Sequence, residues 1–548
     1  MSRTVSLLPA ASAPPRRQAT PDPFTRRLEE SSWLAPGILS IVCALLFFYG
    51  LNAGELYRNE SLRAIIAAEF LRSGNWIVPT LYGEPLFTKP PGMYAAIALV
   101  SWPFGAVHEW TARLPSALAA TITVFLVYRL FRRHFGRRAG LVAGLLLPMN
   151  VMWLDKATAA EIDMLQVAWV TGAICCFLRA LEIAEASQAG CLVTIVGFRV
   201  SADEDSNWEE LPNPVAKRLT EPQQSDAAGG GRPWLWWSAA LLCVAGGVLT
   251  KWTAPVFFYG TVLPLLWWRG QLRLLLGRHH LAGALLGASL CFAWIGAAVA
   301  LSGWQTFHGT VSREALQRLL PDGHGHGYSW HETLLHPLKL LATTLPWSAA
   351  ALLTLWPRFF ESSDPRHRRL RQALHCWVWP SMLFWSLFPQ HVVRHSFPLF
   401  PGIACLAALV FTEWLRFPER FKLRIKPWPI LVGCLLVWLA VKVCFVEWVT
   451  PARNGHRAPR AKAEQIAALV PEGKTLYLFR LKDEGIMFYY GQTVRRLPGP
   501  ARLPSGGEPL YCILDSVDWR DWPAARETEI LREMTDEQGD QMVLVRVK

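Results

Sequence analysis

Long apolar stretches alternate along this chain with short polar ones rich in arginine. Runs with little or no charge cover residues 33–53, 112–130, 139–153, 163–181, 234–250, 254–268, 281–301, 334–356, 373–388, 397–414 and 427–446. An α-helix needs about 20 residues to cross a hydrocarbon core of about 30 Å, and most of these runs approach that length. The pattern predicts an all-α polytopic membrane protein with about eleven transmembrane helices, the count reaching thirteen if marginal runs are included.

One further apolar run, 92–107, decides the topology. Counting it as a span moves every later loop to the other side. If it lies along the surface or re-enters, the basic loops 129–138, 269–278, 358–371 and 416–426 all share a side with the arginine-rich N-terminus. Retained positive charge then makes that side cytoplasmic. The segments 54–89, 155–163, 302–331, 390–395 and everything after 447 fall on the outer side.

The organisation follows. Residues 1–30 are rich in Pro, Ala, Ser and Arg without an apolar core, and read as a disordered cytoplasmic tail. Residues 31–448 form the transmembrane domain, with outer loops at 54–107 (carrying juxtamembrane helices) and 302–333. A cytoplasmic insertion at 184–232 carries the acidic cluster DEDSNWEE and a glycine-rich stretch, and reads as largely disordered or a small accessory loop. Residues 449–548 change character. TLYLFRL, IMFYYG, LYCILDS and MVLVRVK are short, β-rich and bounded by turn residues, predicting a small periplasmic α/β domain.

Composition sharpens this picture. Hydrophobic residues make up 52% of 548, and the formal charge is +13. The basic residues sit in the short loops between apolar runs, where they orient a membrane protein, so nucleic-acid binding is excluded as a function class. The 27 Trp and 27 Phe suit interfacial belts and lipid-facing surfaces. The eleven cysteines, mostly inside apolar runs, have no metal-type spacing and read as small buried hydrophobes.

Charged groups at membrane depth or just outside it are costly, so a cluster of them on one side marks a functional site. Glu60 in LYRNESLR and Asp163 in KATAAEIDMLQ, with Glu161 beside it, are the candidate acids. The plainer account makes Glu60 an exposed loop acid and Asp163 a helix-start acid favoured by the macrodipole. Lys89 in LFTKPPGMY and Arg394 in HVVRHSFP are candidate phosphate-binding cations on the same face, against plain headgroup snorkelling. A histidine-rich stretch contains His308, His324, His326, His331 and His336, with Glu314 nearby. The His324–Gly–His326 spacing suits a divalent metal, although glycine-flanked histidines are also ordinary in loops.

These same residues carry a resemblance. YRNESLRAIIAAEFLRSGNWIVPTLYGEPLFTKPPGMY resembles the first outer loop of the bacterial aminoarabinose transferase and protein O-mannosyltransferase superfamily, where an acidic pair precedes SGDW-VP and a KPP turn. ARLPSAL, AEIDM, GGVLTKWTAP, REALQRLL, LPWSAAALL and SLFPQHVVRHSFPLFPGIA continue the likeness in family order over most of the chain. The resemblance implies a GT-C fold in a bacterial inner membrane. It implies an enzyme taking a sugar from a polyprenyl-phosphate carrier and passing it to a lipid, glycan or protein on the periplasmic face, as in lipid A modification or protein glycosylation.

In such an enzyme Glu60 and Asp163 serve the acceptor hydroxyl, and Lys89 and Arg394 the departing phosphate. Asn59, Arg63, Glu161 and His395 are supporting substrate-binding candidates, with no certain cofactor beyond a possible divalent metal ion. The chain departs from the family pattern twice. Asn59 stands where the acidic pair usually has Asp, and an amide takes no proton. Thr88 replaces the acid commonly found before the KPP lysine in the aminoarabinose branch, which weakens the carry-over of that branch's metal site and amino-sugar specificity. Two other readings are a transporter or lipid flippase and a catalytically inactive family member. No internal repeat supports the former; Asn59 alone supports the latter.

Overall fold

The computed structural model describes residues 23–201, 232–319, 328–356, 364–416, 427–504, 508–523 and 527–548. Six of its helices are long and apolar enough to cross a membrane: Glu109–Phe135, Ile162–Ala186, Pro233–Thr250, Arg278–Ser302, Val393–Arg416 and Pro427–Leu469. Shorter apolar helices occur at Leu34–Phe48, Gly92–Phe104 and Ala254–Trp268. The protein is a multi-pass membrane protein. Helix Arg278–Ser302 lies on the perimeter with Leu285 and Phe292 about 70% exposed, as expected of side chains whose solvent is lipid.

Two expected spans are broken. Residues 139–153 divide into Arg137–Leu146 and Val151–Ala157, where Asn150 restarts the chain by accepting the Trp153 amide at 2.9 Å. Residues 334–356 divide into Trp330–Thr343 and Trp347–Leu353 around Pro346. Apolarity shows that a run is buried or lipid-facing, but a proline or a capping side chain decides whether it stays one helix. The run at 92–107 is a helix Gly92–Ser101 followed by a 3-10 turn Trp102–Phe104. Ten helical residues rise about 15 Å, half of what spanning requires. Gly92 lets this helix sit directly on the end of Pro233–Thr250, since a Cβ there would lie 2.7 Å from the Leu249 carbonyl oxygen.

The basic loops gather at one end of the bundle. Arg137 and the Arg138 amide bond to Glu29, Arg269 and Arg369 both pair with Glu185, His367 reaches the His134 carbonyl, and Arg416 reaches that of Phe135. Helix Glu109–Phe135, about 40 Å long by its rise, connects this end to the opposite one. There Glu109 meets Arg460 at 2.6 Å and Tyr489 Oη at 3.0 Å in the C-terminal region.

Other boundaries shift. The tail expected to be disordered through residue 30 ends in a helix Pro23–Glu30, held by an Arg26–Glu30 pair one turn apart; residues 1–22 lie outside the described residues. Helix Ile162–Ser201 runs well past 184, where the insertion was expected to begin, because LEIAEAS continues in good helix formers. The acidic cluster and glycine-rich stretch lie outside the described residues. Helical structure also continues from Pro427 through 449 to Leu469, across the boundary expected for the terminal domain.

That domain is α/β. Its five-stranded sheet has the order Val494–Arg496, Leu476–Leu478, Leu510–Asp515, Gln541–Val547, Thr528–Thr535, parallel among the first three and antiparallel thereafter. IMFYYG, expected as β, forms the helix Glu484–Tyr490 instead. Short apolar runs do not distinguish strand from helix by periodicity. Here Ile486, Met487 and Tyr490 share a buried face, and Gly491 at φ +67° closes the last turn.

Asp483, 1% exposed, accepts the Glu537 amide. Burial first, then the neighbouring Glu537 and Asp536 carboxylates, push its carboxyl up to about 8 from 3.8. At a pH below about 4 both folded and unfolded chains hold this proton; between about 4 and 8 only the unfolded chain releases it, so stability falls as pH rises through that window. Asp483→Asn should flatten this decline in thermal unfolding midpoints measured from pH 5 to 9; an unchanged slope would show that other groups set it.

Candidate active site

At the end of the bundle opposite the basic loops, the outer loop before helix Asn59–Ser73 is built around Arg113. This side chain is buried in helix Glu109–Phe135, two residues before Pro115. Its Nη1 donates to the carbonyls of Leu51 (3.1 Å), Ala53 (2.7 Å) and Gly54 (3.1 Å), and Nη2 to that of Glu55 at 3.3 Å. Nε and Nη2 also form a fork with Glu60, at 3.0 and 3.2 Å. The Ala160 amide donates to the same carboxylate at 2.8 Å, so Glu60 joins the first outer loop to the 155–163 segment.

One turn along the helix, Arg63 repeats the arrangement. It pairs with Glu161 at 2.9 Å and donates to the carbonyls of Asn59 (2.8 Å) and Ala160 (3.0 Å). Lys156 lies 2.9 Å from Asp155 and 3.7 Å from Glu161. Burial works against its charge, but these carboxylates outweigh it and raise the lysine above its ordinary value.

Asp163 is buried and pairs with Lys251 at 2.7 Å, each side chain 5% exposed. Lys251 occupies the extended break between helices Pro233–Thr250 and Ala254–Trp268. Arg63 and Arg394 are both within electrostatic reach of Asp163. Arg394 itself is exposed, in the turn Val393–Leu399, and has no carboxylate within ion-pair distance among the described residues. Lys89 is held by Glu314 at 2.5 Å and by the Thr88 carbonyl at 2.9 Å. Tyr94 lies between, within electrostatic reach of Arg63 and Glu314.

Asn59, Glu60 and Glu161 line a cavity of about 340 Å³ with Arg58, Arg113, Lys156, Lys442, Arg453 and Arg457. Asp163, Arg63, Lys89, Arg394 and His395 are not in its lining. The fold thus places the expected residues at one end in two adjoining groups. Glu60 and Glu161 face the cavity; Asp163, Lys251 and Arg394 lie beyond Arg63. His395 packs near Trp385, ring centroids 6.1 Å apart.

Among the described residues the histidines do not assemble. His308 is exposed and stacked on Trp304, while His336 is buried against the Ser386 hydroxyl at 3.1 Å. His324 and His326 lie outside the described residues. Among the described residues no group of three or more His, Cys, Asp or Glu side chains is placed to hold a metal ion.

Sequence reasoning assigned no role to Arg113, Lys156 or Lys251, and Glu314 only as a neighbour of the histidines. The signal was available for two of them. Arg113 in ARLPSAL and Lys251 in GGVLTKWTAP are cations inside or at the edge of apolar runs, and such a cation demands a carboxylate partner.

The comparisons with known proteins join this geometry. The family profile described as dolichyl-phosphate-mannose-protein mannosyltransferase matches residues 88–200. An undecaprenyl phosphate-α-4-amino-4-deoxy-L-arabinose arabinosyl transferase of Sodalis glossinidius is 32% identical over 27% of this chain and 28% of its own length. One from Pseudomonas fluorescens is 25% identical over 80% of this chain and 66% of its own length. The crystal structure of ArnT from Cupriavidus metallidurans bound to undecaprenyl phosphate superposes with a TM-score of 0.67, at 16% identity, covering 94% of this chain and 98% of that one. This chain has the GT-C fold. The resemblance carried by the ordered motifs is borne out, as is the expectation of a helical GT-C bundle with a small C-terminal sheet. This GT-C protein spans only 28% and 66% of the length of the two curated relatives named.

Proposed function

We propose that this GT-C protein is an inner-membrane glycosyltransferase moving a sugar from a polyprenyl-phosphate carrier to a lipid, glycan or protein acceptor at the periplasmic face. The observation that supports it most is the cavity lined by Glu60 and Glu161, joined through Arg63 to Asp163, which has Arg394 within electrostatic reach. The basic loops at the other end support a cytoplasmic N-terminus and a periplasmic C-terminal domain, by the positive-inside rule.

The reaction is an inverting single displacement. The acceptor oxygen attacks the anomeric carbon, its proton passes to a carboxylate, and the bond from that carbon to the phosphate oxygen breaks with its electron pair leaving on the lipid phosphate. Glu60 faces the cavity that admits the acceptor, with Asn59, Glu161 and Arg63 fixing orientation. Asp163 lies on the donor side. Arg394, already exposed, takes the phosphate in a bidentate hydrogen bond, and Lys89 joins it on leaving Glu314. His395, beside Arg394, supports the same donor group.

The test is transfer of radiolabelled sugar from a panel of polyprenyl-phosphate donors by the full-length protein in membranes. Glu60→Gln should abolish transfer, and full activity in that variant would sink its assignment. Arg394→Ala should raise the donor KM about tenfold, the value of roughly 1.4 kcal/mol from one charge-assisted contact. A metal at His324 and His326 is tested by chelation: transfer lost to EDTA and restored by Mg²⁺ or Mn²⁺ supports it, and unimpaired transfer rejects it. Asn59, an amide in the cavity wall, favours the inactive reading if a silent wild type gains transfer on Asn59→Asp.

A further inference from the structure

The outer-loop strip Gly54–Arg58 is gripped from two sides. The carbonyls of Gly54 and Glu55 accept from Arg113, and the amides of Glu55 and Leu56 go to the C-terminal region. The Glu55 amide donates to Asn454 Oδ1 at 3.3 Å and the Leu56 amide to Tyr489 Oη at 2.8 Å. Glu537, 4% exposed, accepts the Ile486 amide at 3.0 Å in the helix Glu484–Tyr490 that carries Tyr489. It stands in the turn between strands Thr528–Thr535 and Gln541–Val547. That turn is closed by Asp536, whose Oδ1 accepts the amides of Gln538 and Asp540 at 2.8 Å each.

The junction tolerates no extra atom. A Cβ on Gly485 would lie 2.1 Å from Glu537 Oε1 and 3.0 Å from the Leu56 carbonyl oxygen. What this junction holds is unusual backbone. Arg58 has φ +46°, the left-handed region that costs a non-glycine residue of order 1–3 kcal/mol, so its surroundings must impose it. Arg58 immediately precedes Asn59 and Glu60, which line the cavity.

We propose that Glu537 is a positioning residue: from the C-terminal domain it fixes the helix Glu484–Tyr490, whose Tyr489 holds the Leu56 amide, and thereby aims Asn59 and Glu60 into the cavity. The terminal domain is then part of the machinery that shapes the site. The inference rests on the transferase reading for its kinetic consequence and on the loop geometry alone for its structural one.

The experiment combines amide hydrogen exchange with transfer kinetics on the full-length protein in lipid nanodiscs. In Glu537→Ala, exchange across Leu56–Glu60 should rise about tenfold or more, and kcat should fall by at least about tenfold while the donor KM stays within about twofold, since a misplacement of about 1 Å costs up to about a hundredfold. Glu537→Gln keeps an oxygen that accepts the same amide, and should restore both readouts to within about threefold of wild type. If Glu537→Ala does not fold, Tyr489→Phe, which releases the Leu56 amide together with the Glu109 contact, should raise exchange and lower kcat by smaller factors. Unchanged exchange in the folded variant, or raised exchange with unchanged kcat, overturns the proposal. A wild type that transfers from no donor overturns the transferase reading and the kinetic role with it, and the exchange arm still decides whether Glu537 holds the loop.

Discussion

Asp163→Asn should cost this protein stability as well as transfer, and adding Lys251→Met in the same chain should return the stability without the transfer. The two side chains pair at 2.7 Å and are each 5% exposed. Removing the carboxylate leaves an ammonium buried without compensation, which costs about 3–5 kcal/mol, whereas exchanging a whole buried pair for packed apolar groups is often neutral or better. Arg63 and Arg394, both within reach of Asp163, add to the positive charge left behind. Thermal unfolding of the detergent-solubilised single and double variants, beside labelled-sugar transfer, separates the two effects. Full transfer by the double variant would show that Asp163 serves only to neutralise Lys251. A single variant as stable as wild type would show that the pair is solvated.

Arg113→Lys should be nearly as damaging, although it keeps the charge. The guanidinium makes six hydrogen bonds at once, four to carbonyls of the outer loop and two to Glu60. An ammonium has three donors radiating from one point and cannot span that set. Some carbonyls at the loop would be left without donors, each buried one costing about 1–3 kcal/mol, and Glu60 would lose its fork. We expect a stability loss of about 3 kcal/mol or more and no measurable transfer. Unfolding midpoints and limited proteolysis at residues 50–58 give the readout. A lysine variant with wild-type stability and activity would mean that the loop is held mainly by the C-terminal domain.

Both predictions concern cations to which sequence reasoning gave no role, and the reason is instructive. Arg113 and Lys251 are conspicuous in the sequence as charges inside or beside apolar runs. Their partners, Glu60 and Asp163, are 53 and 88 residues away, and nothing in a linear pattern selects one carboxylate over another. The same holds for Lys89 and Glu314, which are separated by 225 residues.

What the sequence determined by itself was the membrane architecture. Apolar length identified most helices, and the arginine-rich loops sorted the two ends, because burial and charge retention act locally on composition. The surface placement of residues 92–107, argued from the charge of the later loops, and the acids of the first outer loop were legible for the same reason. Tertiary structure decided the rest. It broke 139–153 and 334–356 into pairs of helices, made IMFYYG a helix by burying one of its faces, and extended helix Ile162–Ser201 into the expected insertion. It alone chose which cation meets which carboxylate, and brought Tyr489 from the far end of the chain to the Leu56 amide. Pairing of charges across a bundle depends on distances that only packing creates, so the residues of the site were readable one by one while their arrangement was not.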